Sequence, residues 1–390
     1  MIRLLVVFEY PTLNGGERSW LASLDDSRRA GFEVAAAAPS RGPLADELGR
    51  REVPIWPFDV FDESGGRHDL AALRDSLAQI VARHETQLLH ANSLSTARLA
   101  GPVARELGVA SLGHLRDILK LRAAAIADLN CHPRLLAVSQ ATRDFHVAQG
   151  LDAARVEVCH NGVDLEAFRP RDACGYLHEE LKIPVAAPLV GSVGQVGLRK
   201  GFDVLLEAAR RVLGEGAGGG SPGAAPHFLI VGARHSQKDE SRQFEHDLHD
   251  AAAAPPLAGH VHFLGWRDDL PRLLPELTLL VHPARQEPLG RVLLEAAAAG
   301  CPMVAADVGG TREIFPQEAE AALLVPPDAP HELAAAITRL LRDPALRDRL
   351  AAAARRRIGD AFDHRRAAAG LIEHYRQALA AKGCGESAPR

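Results

Sequence analysis

Short apolar runs of strand length recur along the chain, and each is followed by a longer Ala/Leu/Arg segment whose apolar positions return with helical period. Such alternation is the pattern of βα units around a parallel sheet, in which strands buried on both faces read as continuous hydrophobic runs. It occurs twice. The first half predicts strands at Arg3 to Phe8, Glu33 to Ala38, Leu88 to Asn92, Ser111 to Leu115, Leu135 to Val138 and Val156 to Cys159. After HNGVDLEAFRP the stretch RDACGYLHEELKIP reads as an irregular connector. The second half then predicts strands at Leu189 to Val193, Phe228 to Val231, Val261 to Leu264, Leu279 to His282, Met303 to Ala305 and Leu323 to Val325. GEGAGGGSPGAAP, from Gly214 to Pro226, has little apolar area to bury and reads as a surface loop. A last amphipathic helix runs from about Arg365 to Ala381, with Leu371, Ile372, Tyr375 and Leu379 on one face. The pattern does not say which half it covers.

The chain has 390 residues, more than one core usually organises, so two domains with a cleft between them are expected. Hydrophobic residues at 47% and charged residues at 24% are those of a soluble globular protein, and no run reaches the ~20 apolar residues of a membrane span. The opening MIRLLVVFEYP has no small-residue cleavage site and reads as a strand, so a cytoplasmic location is expected. Five cysteines without a C-x-x-C pair argue against a disulfide framework or zinc site. A net charge of −5 argues against a nucleic-acid partner.

Two segments carry candidate chemistry. In HPARQEPLGRVLLEAAAAGCP a strand ends, Pro288 and Gly290 make a turn, and strong helix formers begin at Arg291. The unpaired N–H groups of that helix start, with Arg291, suit a diphosphate near Leu289 to Arg291. Glu287 and Glu295 flank the turn; eight residues at ~1.5 Å rise span roughly 12 Å, the reach from a hexose across a diphosphate to a ribose. Carboxylates accept hydrogen bonds from the hydroxyl pairs of both sugars. The plainer alternative is a loop glutamate and a solvated helix glutamate. In GSVGQVGLRKGFDVLLEAARRV, Gly191, Gly194 and Gly197 follow a strand, and Arg199 and Lys200 precede a helix, a turn able to approach and neutralise phosphates or simply an exposed basic βα turn. No dinucleotide fingerprint follows the first strand, where only Gly15 and Gly16 stand, and no P-loop is present.

Taken in order, NGGERSWL, HLRDIL, LAVSQATRDF, HNGVDLEAF, GQVGLRKGFDVLLEA, FLGWRDDL, HPARQEPLGRVLLEAAAAGCPMVAADVGGTREI and LLVPPDAPHELAAAI resemble the retaining GT-B glycosyltransferases often called family four, over nearly the whole chain. The resemblance implies an α/β fold of two Rossmann-like domains facing across a cleft: residues 1–170, completed by a C-terminal helix at about 365–384 that returns to the first domain, and residues 184–364. It implies that a hexose moves from a nucleotide diphosphate sugar to a glycan, a lipid-linked sugar or a small molecule, with retention. No D-x-D cluster stands out, and Asp268-Asp269 lack a partner carboxylate at ligand spacing, so no metal and no other cofactor is expected. Glu287 would lie at the transferred sugar, Glu295 at the ribose and Lys200 at the leaving diphosphate. Gly15 and Gly16 match a loop that approaches the donor, and His114 matches a histidine beside the transferred sugar. Gln195 stands where many relatives carry Arg, so either Arg199 or Arg291 compensates or the donor affinity is lower; Ala284 and Pro288-Leu289 also depart from the usual Ser and Gly-Phe, and Pro288 has no N–H to offer a phosphate. Trp266 and Arg267 would border the base pocket, and Gly309, Gly310 and Glu313 would shape the site wall. HNGVDLEAF would close the first domain near the hinge, with Asn161-Gly162 as the turn and Asp164 capping the following helix.

Three readings compete with transfer: a GT-B-shaped phosphorylase, a nucleotide-sugar epimerase and a non-catalytic nucleotide-sugar-binding subunit. HLRDILKLR, from His114 to Arg122, is basic and partly apolar; it reads as an ordinary surface helix, or as a segment on anionic lipid that would bring the protein to the inner face of the membrane.

Overall fold

The computed structural model describes residues 1–214 and 225–385, so most of the glycine-rich stretch from Gly214 to Pro226 lies outside the described residues. The chain forms two compact units, Met1–Gly162 with His364 onward, and Val163–Asp363. Val163 and the rest of HNGVDLEAFRP therefore belong to the second unit.

The first unit is a seven-stranded, all-parallel sheet of β1 (Ile2–Val7), β2 (Phe32–Ala38), β3 (Ile55–Pro57), β4 (Leu88–Ala91), β5 (Ala110–Leu115), β6 (Arg134–Ala137) and β7 (Val156–Val158), in the order β3-β2-β1-β4-β5-β6-β7. Six of these match the apolar runs. The seventh, β3, lies in VPIWPF, where one proline precedes the three-residue strand and another ends it; it sits at the sheet edge, where a missing N–H is tolerated. Strand periodicity splits the core into two layers. Leu5 and Val7 join Leu77, Leu89 and Leu99 on one face, while Leu4 and Val6 join Trp20, Phe32, Leu371, Ile372 and Tyr375 on the other. The last helix, His364–Gly385, thus covers the first sheet, as the resemblance implied.

The second unit is a six-stranded parallel sheet of β8 (Leu189–Val193), β9 (His227–Val231), β10 (Val261–Gly265), β11 (Leu279–His282), β12 (Met303–Ala306) and β13 (Leu323–Val325), in the order β10-β9-β8-β11-β12-β13. In both sheets the chain starts at the middle, winds to one edge and then crosses to the other side. The reversal lies between β1 and β4 in the first unit and between β8 and β11 in the second. At such a switch point the loops leaving the carboxyl ends of the two strands diverge and open a crevice for ligand.

Three local expectations are corrected. The connector is not wholly irregular, because Tyr176–Leu181 is helical, entered through Gly175 at φ 78°, and the Cys174 and Gly175 N–H groups donate to the buried Glu276 carboxylate at 2.7 and 2.9 Å. Asp164 accepts from the N–H groups of Glu166 and Ala167, but what it caps is a turn and no helix follows. HLRDILKLR is not a surface helix either. Its first two residues finish β5, and the rest has no regular secondary structure and is tied to the 140–149 region: His146 bonds the Asp117 carbonyl at 2.7 Å, and the Gln149 side chain bonds the Leu121 N–H and the Leu119 carbonyl.

Candidate active site

At the second switch point, the loop leaving β8 ends in a single 3₁₀ turn, Leu198–Lys200, and the loop leaving β11 carries Glu287 into the helix Arg291–Ala298. Lys200 Nζ donates to Glu287 Oε2 at 2.5 Å, and His282 Nε2 donates to the same oxygen at 2.9 Å. The carboxylate is only 7% exposed. Burial alone would raise its pKa, but the Lys200 charge and the His282 hydrogen bond outweigh that and hold it well below the ordinary value of 4.5. Burial dominates at His282 and lowers its pKa, so the ring is neutral at pH 7 and has one N–H, which Glu287 receives. The outcome is a buried, ionised carboxylate fixed by two donors.

The backbone around Glu287 is fixed as firmly. Its carbonyl accepts the Gly310 N–H at 3.1 Å, and a Cβ on Gly309, whose φ is 52°, would lie 1.8 Å from that carbonyl oxygen. A Cβ on Gly201, whose φ is 67°, would likewise lie 2.0 Å from the Pro283 carbonyl oxygen. Arg285 joins the two loops: its guanidinium donates to the Leu198 carbonyl at 2.8 Å and to both oxygens of Asp203 at 2.8 and 2.7 Å, while its own N–H donates to the Arg199 carbonyl. Gly309→Ala is therefore expected to cost about 3 kcal/mol or more, lowering the melting temperature of the second unit by roughly 5–10 °C. Calorimetry of the full chain checks it; an unchanged transition would mean the Glu287 loop is softer than its contacts indicate.

The other expected donor residues of the second unit lie on the same two loops and the helix that follows. Gly290, at φ 110°, is the first residue before the helix, and Arg291 Nε donates to Glu295 Oε1 at 2.6 Å one turn on. Helical rise applies only from Arg291, so the 12 Å ruler laid along eight helical residues does not hold between Glu287 and Glu295. The Leu289 side chain is buried in the core and leaves only its backbone for a ligand. Gln195 and Arg199 are exposed on the β8 loop. Arg267 is held by Asp269 at 2.9 and 2.8 Å and by Glu180 at 2.7 Å, and its hydrogen bonds are the chief cause that lowers the Asp269 pKa to about 2. Among the described residues no group of three or more His, Cys, Asp or Glu could hold a metal ion. No described helix is long and apolar enough to cross a membrane.

In the first unit, His114 is a buried residue of β5, and it is not alone: His90 Nε2 lies 2.9 Å from its Nδ1. Gly15 and Gly16 open the helix Gly15–Leu21; the Gly16 carbonyl accepts from Asn92, and a Cβ on Gly16 would stand 3.0 Å from Arg116 Cδ. Arg116 in turn donates to Asn92 and Asn161, each at 2.8 Å. A small cavity bordered by His114, Arg116, Cys159, Asn161 and Gly162 opens beside them.

Sequence reasoning did not single out His282, Arg285, His90 or Arg116. A histidine ending a strand just before the Glu287 turn is a visible signal for the first. The others act through partners far away in sequence, which no local pattern reveals.

A model of the glycosyl transferases group 1 family matches residues 177–357, and one of glycosyltransferase family 4 matches residues 13–167. A D-inositol 3-phosphate glycosyltransferase of a Nocardioides species is 31% identical over 340 residues, covering 83% of this chain and 69% of its own. The chain belongs to the group 1 glycosyltransferases. It is a transferase enzyme. A second relative of this glycosyltransferase, the D-inositol 3-phosphate glycosyltransferase of Frankia alni, is 28% identical and covers 89% and 88% of the two chains. Among solved structures, Anabaena Alr3699/HepE in complex with UDP and glucose superposes with a TM-score of 0.83 at 22% identity over 96% of this chain and 99% of that one. The sucrose-phosphate synthase of Thermosynechococcus elongatus reaches 0.76 at 21% identity over 98% and 100%. The likeness shows the fold, two Rossmann-like domains of the GT-B class.

Proposed function

We propose that this glycosyltransferase moves a hexose from a nucleotide diphosphate sugar to a hydroxyl of a glycan, lipid-linked or small-molecule acceptor, with retention and without a metal. The observation that carries the reading is Glu287, held ionised between Lys200 and His282 at the carboxyl edge of the switch point, with a helix starting shortly after it at Arg291. Positive charge develops on the sugar as its C1–O bond to the diphosphate breaks, and a fixed carboxylate that accepts from the sugar hydroxyls stabilises that change. Negative charge gathers on the departing diphosphate. Lys200 has three N–H bonds and spends one on Glu287, so two remain for phosphate oxygens, and the N–H groups at the start of Arg291–Ala298 add a positive end. The acceptor oxygen bonds to C1 on the face the diphosphate leaves, and its proton passes to the departing phosphate oxygen. Glu295 takes the ribose hydroxyls with the oxygen that Arg291 leaves free. The complexes of Anabaena Alr3699/HepE with UDP and with UDP-glucose favour UDP-glucose as the first donor to try.

Thermal shift with a panel of nucleotide sugars tests the reading, because a ligand bound only by the folded state raises its melting temperature by mass action. One nucleotide sugar is expected to shift the transition by several degrees with EDTA present. Glu295→Ala is expected to raise the donor KM about tenfold, the worth of a charge-assisted hydrogen-bond pair, with kcat changed little. No shift with any donor, or a shift that needs added divalent metal, would defeat the proposal.

A further inference from the structure

A chain of five buried or half-buried groups crosses the first unit. Trp20 Nε1 lies 3.3 Å from the Tyr375 hydroxyl, that hydroxyl lies 2.8 Å from His90 Nδ1, His90 Nε2 lies 2.9 Å from His114 Nδ1, and Arg116 Nη2 lies 3.3 Å from that same nitrogen. Both ends are donor-only groups, since neither indole N–H nor guanidinium can accept. Arg116 therefore requires a bare lone pair at His114 Nδ1, and His90 must supply its Nε2 proton to the same atom. A neutral His90 with its proton at Nε2 is bare at Nδ1, so it accepts from the tyrosine O–H, whose oxygen accepts from Trp20. Reversing the direction would leave Tyr375 with two donors aimed at its oxygen and its own proton without an acceptor, a costly state for a fully buried hydroxyl. The two ends assign the same direction independently.

The geometry points to Trp20, Tyr375 and His90 as positioning residues that lock His114 in the tautomer with its proton on Nε2, making it a hydrogen-bond donor to substrate oxygen and not a base. His114 borders the small cavity beside Arg116 and Asn161, and its Nε2 makes no hydrogen bond to a described residue, so that N–H is the free end of the chain. Burial, then the Arg116 charge, pushes the pKa of both histidines well below 6.5, which keeps each ring neutral with a single proton to place. Tyr375 belongs to the last helix, so a residue remote in sequence sets the proton of a residue in β5.

Two-bond ¹H–¹⁵N correlation spectra of the full chain labelled with ¹⁵N-histidine read this tautomer without substrate, His114 being assigned by its loss in His114→Gln. The wild type at pH 7.5 is expected to show His114 with Nε2 protonated and Nδ1 bare. Tyr375→Phe keeps the ring that packs on Phe32 and is expected to mix the tautomers of His90 and move the His114 Nδ1 resonance; Trp20→Phe is expected to move them less. A His114 protonated at Nδ1 in the wild type, or resonances unmoved in Tyr375→Phe, would overturn the assignment. If Tyr375→Phe does not fold, the wild-type spectrum alone decides. The consequence for turnover rests on the function proposed above: His114→Gln, which retains an N–H, is expected to keep kcat within about tenfold, and His114→Ala to lose about a hundredfold. Equal loss in both variants would indicate a base and overturn the donor role. A correct tautomer with normal turnover in both would leave the relay standing and remove His114 from the transfer reaction.

Discussion

Glu287→Gln is expected to lower kcat by roughly 10²–10³-fold, the scale seen when one preorganised electrostatic contact to a developing charge is removed. Glutamine keeps the size of the side chain and can accept from either neighbour, so the loop fixed by Gly309 and Gly310 should stay in place. What is lost is the negative charge. Removing one partner from a buried ion pair costs up to ~3–5 kcal/mol, and less here because the Lys200 side chain keeps 17% of its surface in solvent. Rate and stability therefore separate: single-turnover rates should collapse while the folded state persists at 25 °C. A kcat within threefold of wild type, with the fold intact, would remove Glu287 from the reaction.

Lys200→Met should have the second largest effect, a fall in kcat of about 10²-fold accompanied by a changed pH dependence. In the wild type, burial works to raise the Glu287 pKa and Lys200 is the first of the groups that lower it. The sign follows directly. A depressed carboxyl contributes stability that is fully present above its unfolded value of 4.5 and is lost as pH falls toward the folded value. With Lys200 gone, burial is opposed only by His282, and the carboxyl pKa moves upward. The acidic limb of the rate profile should then begin at higher pH in the variant, and the stability that the wild type loses only below pH 4.5 should be missing already at neutral pH. Urea unfolding from pH 4 to 8 together with kcat profiles checks both; superimposable limbs would mean that Lys200 does not set the charge of Glu287.

The fold was readable because both sheets are parallel and covered on two faces, so almost every strand is a continuous apolar run. The exception, β3, is too short to show a run and is masked by Pro54 and Pro57. The turn around Glu287 was equally readable, since helix formers after Pro288 and Gly290 declare their start. Local sequence could not announce that Lys200 and His282 converge on one carboxylate oxygen, because that contact depends on the register in which β8 and β11 pair. The hydrogen-bond chain to His114 was further out of reach. It needs a tyrosine that pattern alone assigns to the apolar face of an amphipathic helix, and only the packed structure gives its hydroxyl the neighbours Trp20 and His90. The failure at HLRDILKLR has the same origin: side chains of a neighbouring segment, His146 and Gln149, bond its backbone and compete with any helix there.

The first unit is interrupted in sequence by the whole of the second, and its final helix supplies Leu371, Ile372 and Tyr375 to a hydrophobic layer begun by Leu4 and Val6. During synthesis the ribosome therefore releases the founding strand of that layer long before its cover. The nascent chain must carry an open greasy flank, sheltered or chaperoned, while the inserted unit, contiguous and self-sufficient in its core, is free to fold ahead of the unit that was begun first.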